Sequence, residues 1–105
     1  MYEVAYEGVM VAGLKYRLET VLDVLEEHDE GRRVSLALER EPDNEFDGNA
    51  IKVVAEPGRH IGYLPAALSE SIVYRGLEHL QAEIVDADID DALRVSIEIR
   101  VVASE

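Results

Sequence analysis

The chain has 105 residues, with 23 Asp and Glu against 10 Lys and Arg, giving a formal net charge of −13. Its 48% hydrophobic content suffices for one core, which excludes a disordered acidic tail and fits a single domain over residues 1–105. The absence of cysteine excludes disulfides, thiolate metal sites and thiol nucleophiles, and a pI near 4.5 argues against broad wrapping of a phosphate backbone.

The elements follow in chain order. Residues 3–13 alternate apolar and small side chains and predict a strand, with Gly8 marking a bulge. Residues 17–28 change period. Leu18, Val21, Leu22 and Leu25 recur at helical spacing and predict an amphipathic helix that Gly31 ends. Residues 33–40 alternate again, with Val34, Leu36 and Leu38 on one face of a strand. The segment 41–49 is dense in turn formers and predicts a loop. Residues 50–55 and 60–64 predict a hairpin joined at Glu56-Pro57-Gly58-Arg59. Pro65 suits the first turn of a helix over 66–75, and Gly76 suits its end. Residues 80–89 and 92–102 predict a second hairpin turning at Asp90-Asp91. Leu93, Val95, Ile97, Ile99 and Val101 form the inward face of its second strand. Six strands and two short helices predict a mainly β fold: a small, partly closed antiparallel barrel.

The chemistry-bearing residues form no catalytic constellation. His28, His60 and His79 share no metal-ligand spacing. Asp43, Glu45, Asp47 and Gly48 resemble the start of a calcium loop. The required twelfth-position Glu is replaced by Val54, which rejects the match. No serine has a neighbouring His, and no nucleophile elbow or phosphate-binding glycine loop occurs. The expectation is a non-enzymatic protein without cofactor or metal. Met1-Tyr2-Glu3-Val4 does not begin an export signal, and no stretch has the ~20 apolar residues of a membrane span. A cytoplasmic location and no membrane partner are therefore expected.

The block Arg40-Glu41-Pro42-Asp43-Asn44-Glu45-Phe46-Asp47-Gly48-Asn49-Ala50-Ile51-Lys52-Val53, followed by Ile61-Gly62-Tyr63-Leu64-Pro65, resembles the HIRAN domain. Upstream, Val11-Ala12-Gly13-Leu14-Lys15-Tyr16 is similar to that family's first-strand exit. The resemblance implies a six-stranded OB-like β-barrel that captures the 3′-hydroxyl end of single-stranded DNA in repair or replication-fork processing. It implies that Lys15 and Tyr16 contact the end nucleotides. Asn44, Phe46 and Asp47 would line the pocket, with Phe46 a stacking wall and Asp47 accepting a hydrogen bond from the terminal hydroxyl. Tyr63 would sit beside them. Arg17 stands where family members carry an aromatic and supplies a cation instead. Glu45 stands where they tend to carry Pro and adds negative charge.

Lys15, Arg17, Arg40 and Lys52 are the expected basic spot, so binding is expected to be weak and salt-sensitive. A separately encoded helicase or nuclease is a further expected partner. Each residue also has a structural reading. Asn44, Asp47 and Asn49 suit loop building, Phe46 suits a core plug, and Tyr16 suits cover for the helix start. Gly62 suits a close backbone approach. The rival reading of the whole chain is a protein-interaction or regulatory module that keeps the fold without binding DNA.

Overall fold

The computed structural model describes residues 2–76 and 79–104. Strand β1 (Tyr2–Met10) leads into a 3₁₀ turn (Leu14–Arg17) and helix α1 (Leu18–Asp29). Strands β2 (Leu36–Arg40), β3 (Ile51–Ala55) and β4 (Arg59–Tyr63) follow. Then come helix α2 (Ala66–Arg75) and strands β5 (Leu80–Ile89) and β6 (Val95–Ser104). All pairings are antiparallel, in one sheet of order β1-β6-β5-β2-β3-β4.

The sheet is not closed into the expected barrel. Its outer strands, β1 and β4, share no ladder. They meet through one bridge just beyond β1, where the Ala12 N–H donates to the Tyr63 carbonyl at 2.8 Å and the Tyr63 N–H donates back at 2.9 Å. The expected first strand accordingly ends at Met10 rather than Gly13. Val11 still donates to the Ile97 carbonyl of β6, and the chain then crosses to Tyr63. Gly13 follows at φ 77°, a left-handed turn that begins the 3₁₀ segment. The register shift around Gly8 is the expected bulge.

Two further boundaries differ from the sequence reading. β2 begins at Leu36 instead of Arg33, because its pairing with β3 starts there. Leu93 does not face inward from β6. It lies in the preceding turn at φ 59° and is 70% exposed. A type I turn from Asp90, closed by Leu93 N–H to Asp90 carbonyl, needs a left-handed residue next in order to rejoin the ladder. The Asp90 carboxylate accepts from the Ala92 and Arg94 amides and holds that conformation.

The core lies between the sheet and α1. Ile61, Ile97, Ile99, Val53 and Val101 are fully buried from the strands, with Val21 and Val24 from α1. The inward stripe of α1 is Val21, Val24 and Leu25, whereas Leu22, expected on that face, is exposed. Arg59 at the start of β4 forms a bidentate ion pair with Glu27, tying α1 to the β3–β4 hairpin. The guanidinium holds the Glu27 carboxyl below its ordinary range.

Gly62 makes the bridge possible. A Cβ there would overlap the Ala12 carbonyl oxygen and come within 2.7 Å of Val11 Cγ1. The first neighbour is backbone and has no rotamer to escape into. Gly62→Ala should therefore destabilise the protein by about 1–3 kcal/mol, an overpacking cost. Urea unfolding should show a lower midpoint with little change in slope; an unchanged midpoint would mean that the seam is not tight.

Candidate nucleic-acid interface

The bridge brings two separate chain segments together. The loop between β2 and β3 is pinned at its neck by the Glu41 N–H donating to the Ala50 carbonyl. Inside it, Asn44 Oδ1 accepts from the Phe46 and Asp47 amides at 2.9 and 3.0 Å. Asp47 Oδ1 accepts from the Asn49 amide at 2.9 Å. These are side-chain-built turns, as the structural reading of Asn44 and Asp47 expects. Asp47 Oδ2 has no protein partner among the described residues and remains an acceptor. Phe46 is not a core plug: the loop projects it outward, 95% exposed.

Glu41 is the anchor that sequence inspection missed. One of its oxygens accepts from Asn44 Nδ2 at 2.7 Å and from the Tyr63 hydroxyl at 2.8 Å, while the other lies 3.9 Å from Lys52 Nζ. The Asn44 and Tyr63 hydrogen bonds hold its carboxyl below the usual range. Burial raises the Tyr63 hydroxyl's pKa, and the Glu41 bond adds to the rise. The signal was present in the Arg-Glu-Pro run. Its meaning required knowing that Lys52 and Tyr63 are cross-strand partners.

Tyr63 is half-buried, with Gly13 and Arg17 on its flanks. The Arg17 guanidinium lies 5.9 Å from its ring centroid, and the His60 ring meets it edge-on at 4.8 Å. His60 Nε2 lies 2.8 Å from the Gly62 carbonyl, an acceptor that selects the Nε2–H tautomer. Burial, reinforced by Arg17, lowers the His60 pKa and favours the neutral ring. Tyr16, 75% exposed, stands out from the 3₁₀ turn with Lys15 Nζ 5.1 Å from its ring centroid.

Two concavities lie beside the chain as it leaves β1. One, of about 280 Å³, is lined by Asn44, Phe46, Asp47 and Tyr63, with Ala12 and Leu64 at its base. The other, of about 330 Å³, is lined by Lys15, Tyr16, Leu93 and Arg94 over an apolar floor. The structure thus gathers Asn44, Phe46, Asp47 and Tyr63 around one hollow. Lys15 and Tyr16 line its neighbour, and Arg17 stacks on Tyr63 between the two segments.

The expected basic spot is only partly assembled. Lys52 faces Glu41, and Arg40 pairs with Ile51 in the ladder and lines a different hollow beside α2. Leu93 and Arg94 line the Tyr16 hollow instead, with the Arg94 guanidinium already paired with Asp90 at 2.8 Å. Their signal was a leucine at a position where this turn type favours glycine. Among the described residues, no three His, Asp or Glu side chains gather as a metal set, and no helix is long and apolar enough to cross a membrane.

The HIRAN domain family profile matches residues 7–104. A crystal structure of a Lactobacillus plantarum protein, 21% identical, superposes with a TM-score of 0.65 over 99% of this chain and 100% of its own. The HIRAN domain of human HLTF, 23% identical, superposes with a TM-score of 0.56 over 92% of this chain and 74% of its own. Both are likenesses of fold. No curated protein matches the sequence.

Because the Glu41 carboxyl titrates lower when folded, the folded chain binds this proton less readily than the unfolded one. That stability is complete above the ordinary value of 4.5 and is lost as pH falls through the folded value. In acid titrations of unfolding, Glu41→Gln should flatten the loss below pH 4.5 relative to the parent. Parallel curves would remove Glu41 as the anchor. Leu93→Gly should stabilise the chain by about 0.5–1 kcal/mol. The left-handed strain of a bulky residue, about 1–2 kcal/mol, exceeds glycine's extra chain entropy of about 0.5–1. A lower thermal midpoint would show that the Leu93 contacts outweigh the strain.

Proposed function

The chain belongs to the HIRAN domain family, and on that premise we propose that it is a non-catalytic module binding the 3′-hydroxyl end of single-stranded DNA. The observation that carries the reading is the exposure of Phe46 and Tyr16. At 95% and 75% they contribute nothing to the core, yet each ring lines a hollow, Phe46 together with Tyr63 and Tyr16 together with Lys15. Solvent-facing aromatics are what stacked bases require, Tyr16 with Lys15 beside it, and each stack contributes about 1–3 kcal/mol in comparable sites.

The roles are those the family resemblance implies, and the geometry supports them. Phe46 and Tyr16 stack on bases. Lys15 and Arg17 meet phosphates, with Arg94 at the rim. Asp47 Oδ2 accepts a hydrogen bond from the terminal hydroxyl, while Asn44 holds the loop that presents both Phe46 and Asp47. Tyr63 forms the wall between the segments. A terminal phosphate would be repelled by Asp47, so the site reads a hydroxyl end. The local cations are few and the body is acidic, so affinity is modest and falls with salt by about 0.7 log units per decade of salt for each phosphate contacted. A role in repair or fork processing, beside a separately encoded helicase or nuclease, fits such an end reader. The closed OB-like barrel of the family would require a wider β1–β4 contact than the single bridge.

The rival reading, a protein-interaction module without DNA, is separated by one titration. A labelled oligonucleotide with a free 3′-hydroxyl and its 3′-phosphorylated twin are titrated at low salt. The hydroxyl form should bind more tightly. Lys15→Ala should weaken both forms, and Asp47→Ala should abolish the preference. Asp47→Asn keeps an acceptor for the Asn49 amide while removing the charge, so it separates repulsion of phosphate from collapse of the loop. No binding of either oligonucleotide overturns the DNA reading, and equal binding overturns end recognition.

A further inference from the structure

His60 lines neither aromatic hollow, yet an irregularity in the sheet delivers its ring to Tyr63. β4 pairs with β3 at Lys52–Tyr63, Val53–Gly62 and Val54–His60, so Ile61 has no partner across the ladder. In an unbroken strand, residues three apart point to opposite faces. The extra residue changes that count. Ile61 is fully buried in the core, and His60 meets the Tyr63 ring edge-on at 4.8 Å.

The ring is held there by a bond that survives protonation. Its Nε2–H donates to the Gly62 carbonyl at 2.8 Å. Both the neutral and the charged imidazole carry that donor, so a proton at Nδ1 adds charge without removing the bond.

Charged groups face His60 from three neighbouring segments: Arg17 from the 3₁₀ turn, Lys52 from β3 and Glu41 from the loop between β2 and β3. Burial is the strongest influence on the ring and favours its neutral form, and Arg17 is next, ahead of Lys52. The Gly62 carbonyl and Glu41 favour the charged form. Lys52 and Glu41 already face each other, and Glu41 is further engaged by Asn44 and Tyr63. Arg17 makes no ion pair among the described residues and lies over the Tyr63 ring. Its charge is therefore the one that a bound anion can neutralise, and once neutralised it no longer opposes a proton on His60.

We propose that His60 is a conditional cation of the aromatic site: neutral while the site is empty, it takes a proton when a phosphate of a bound strand engages Arg17. The inference rests on the reading of the site as a binder of single-stranded DNA, and it deepens that reading by making the binding proton-linked. His60 acts through Arg17 and Tyr63 and does not touch the strand, so it is a positioning residue. Linkage is reciprocal: a strand that favours the proton is itself favoured where protons are abundant. Affinity should rise as pH falls through the bound-state value of His60 and level off below the free-state value. On an acidic chain with few cations near the site, one further charge gained on binding is a large share of the total.

The test follows the imidazole signals of the full chain by NMR, free and with a short oligothymidylate ending in a 3′-hydroxyl, whose bases do not titrate in this range. In the free protein His60 should titrate below the ordinary value of 6.5. Arg17→Met keeps bulk beside Tyr63 but removes the charge, and should move that titration upward. The oligonucleotide should move it upward in the parent, with affinity growing about tenfold from about pH 7.5 to about pH 5.5. His60→Gln keeps an amide donor for the Gly62 carbonyl but takes no proton, and should lose most of that growth. The parent titration needs no variant to fold. Binding that leaves the His60 titration unmoved would overturn this proposal alone. So would equal growth in His60→Gln, or a free-state titration that Arg17→Met does not change. Absence of binding at either pH would overturn the DNA reading and this proposal with it.

Discussion

Two hydrogen bonds between Ala12 and Tyr63 organise the site, and the missing side chain of Gly62 permits them. They are the only backbone hydrogen bonds between the ends of the sheet among the described residues. They turn the chain leaving β1 across the molecule, so that Gly13, Tyr16 and Arg17 arrive beside β4. Without that crossing, Tyr63 would face solvent, Arg17 would have no ring to stack on, and the loop carrying Phe46 would stand alone. Glu41 extends the same junction sideways by holding Tyr63, Asn44 and Lys52 through one carboxylate.

The acidic composition reads differently once its members are placed. Glu41, Glu27 and Asp90 are each engaged in hydrogen bonds or ion pairs that brace a loop, a helix and a turn. Their carboxyls titrate below the ordinary range for that reason. Asp86 of β5 is of another kind: it is exposed and stands opposite Glu98 across the ladder. A single net charge merges these two populations, although they have opposite consequences for what the surface attracts.

The element types were legible from periodicity, because apolar alternation and helical spacing are imposed by burial. The loop of residues 41–49 and the Gly76 helix end were legible from turn chemistry. The inward face assigned to Leu93 was wrong because alternation alone cannot distinguish the last turn residue from the first strand residue. Pattern also placed Leu22 inside, where Val24 took its place on α1. Motif resemblance marked Asn44, Phe46, Asp47 and Tyr63, and the fold brings these four around one hollow. Arg40 and Lys52 could not be placed without the register, which sends one to the α2 side and the other to Glu41. Glu41 escaped notice for the same reason: the β3–β4 ladder brings its partners Lys52 and Tyr63 together, which no linear spacing encodes.

The slightness of the Ala12–Tyr63 junction has a dynamic consequence. Opening it breaks two hydrogen bonds while the β5–β6 hairpin and most of the core remain intact. Such sub-global opening requires less free energy than unfolding the whole domain. Any ligand that touches both Tyr16 and Phe46 is held only while the junction is closed. Its binding energy adds to the cost of opening, and its residence time is bounded by how often the two edges separate. Amide exchange at Ala12 and Tyr63 is thus a clock for the aromatic site, running in the free protein before any ligand is added.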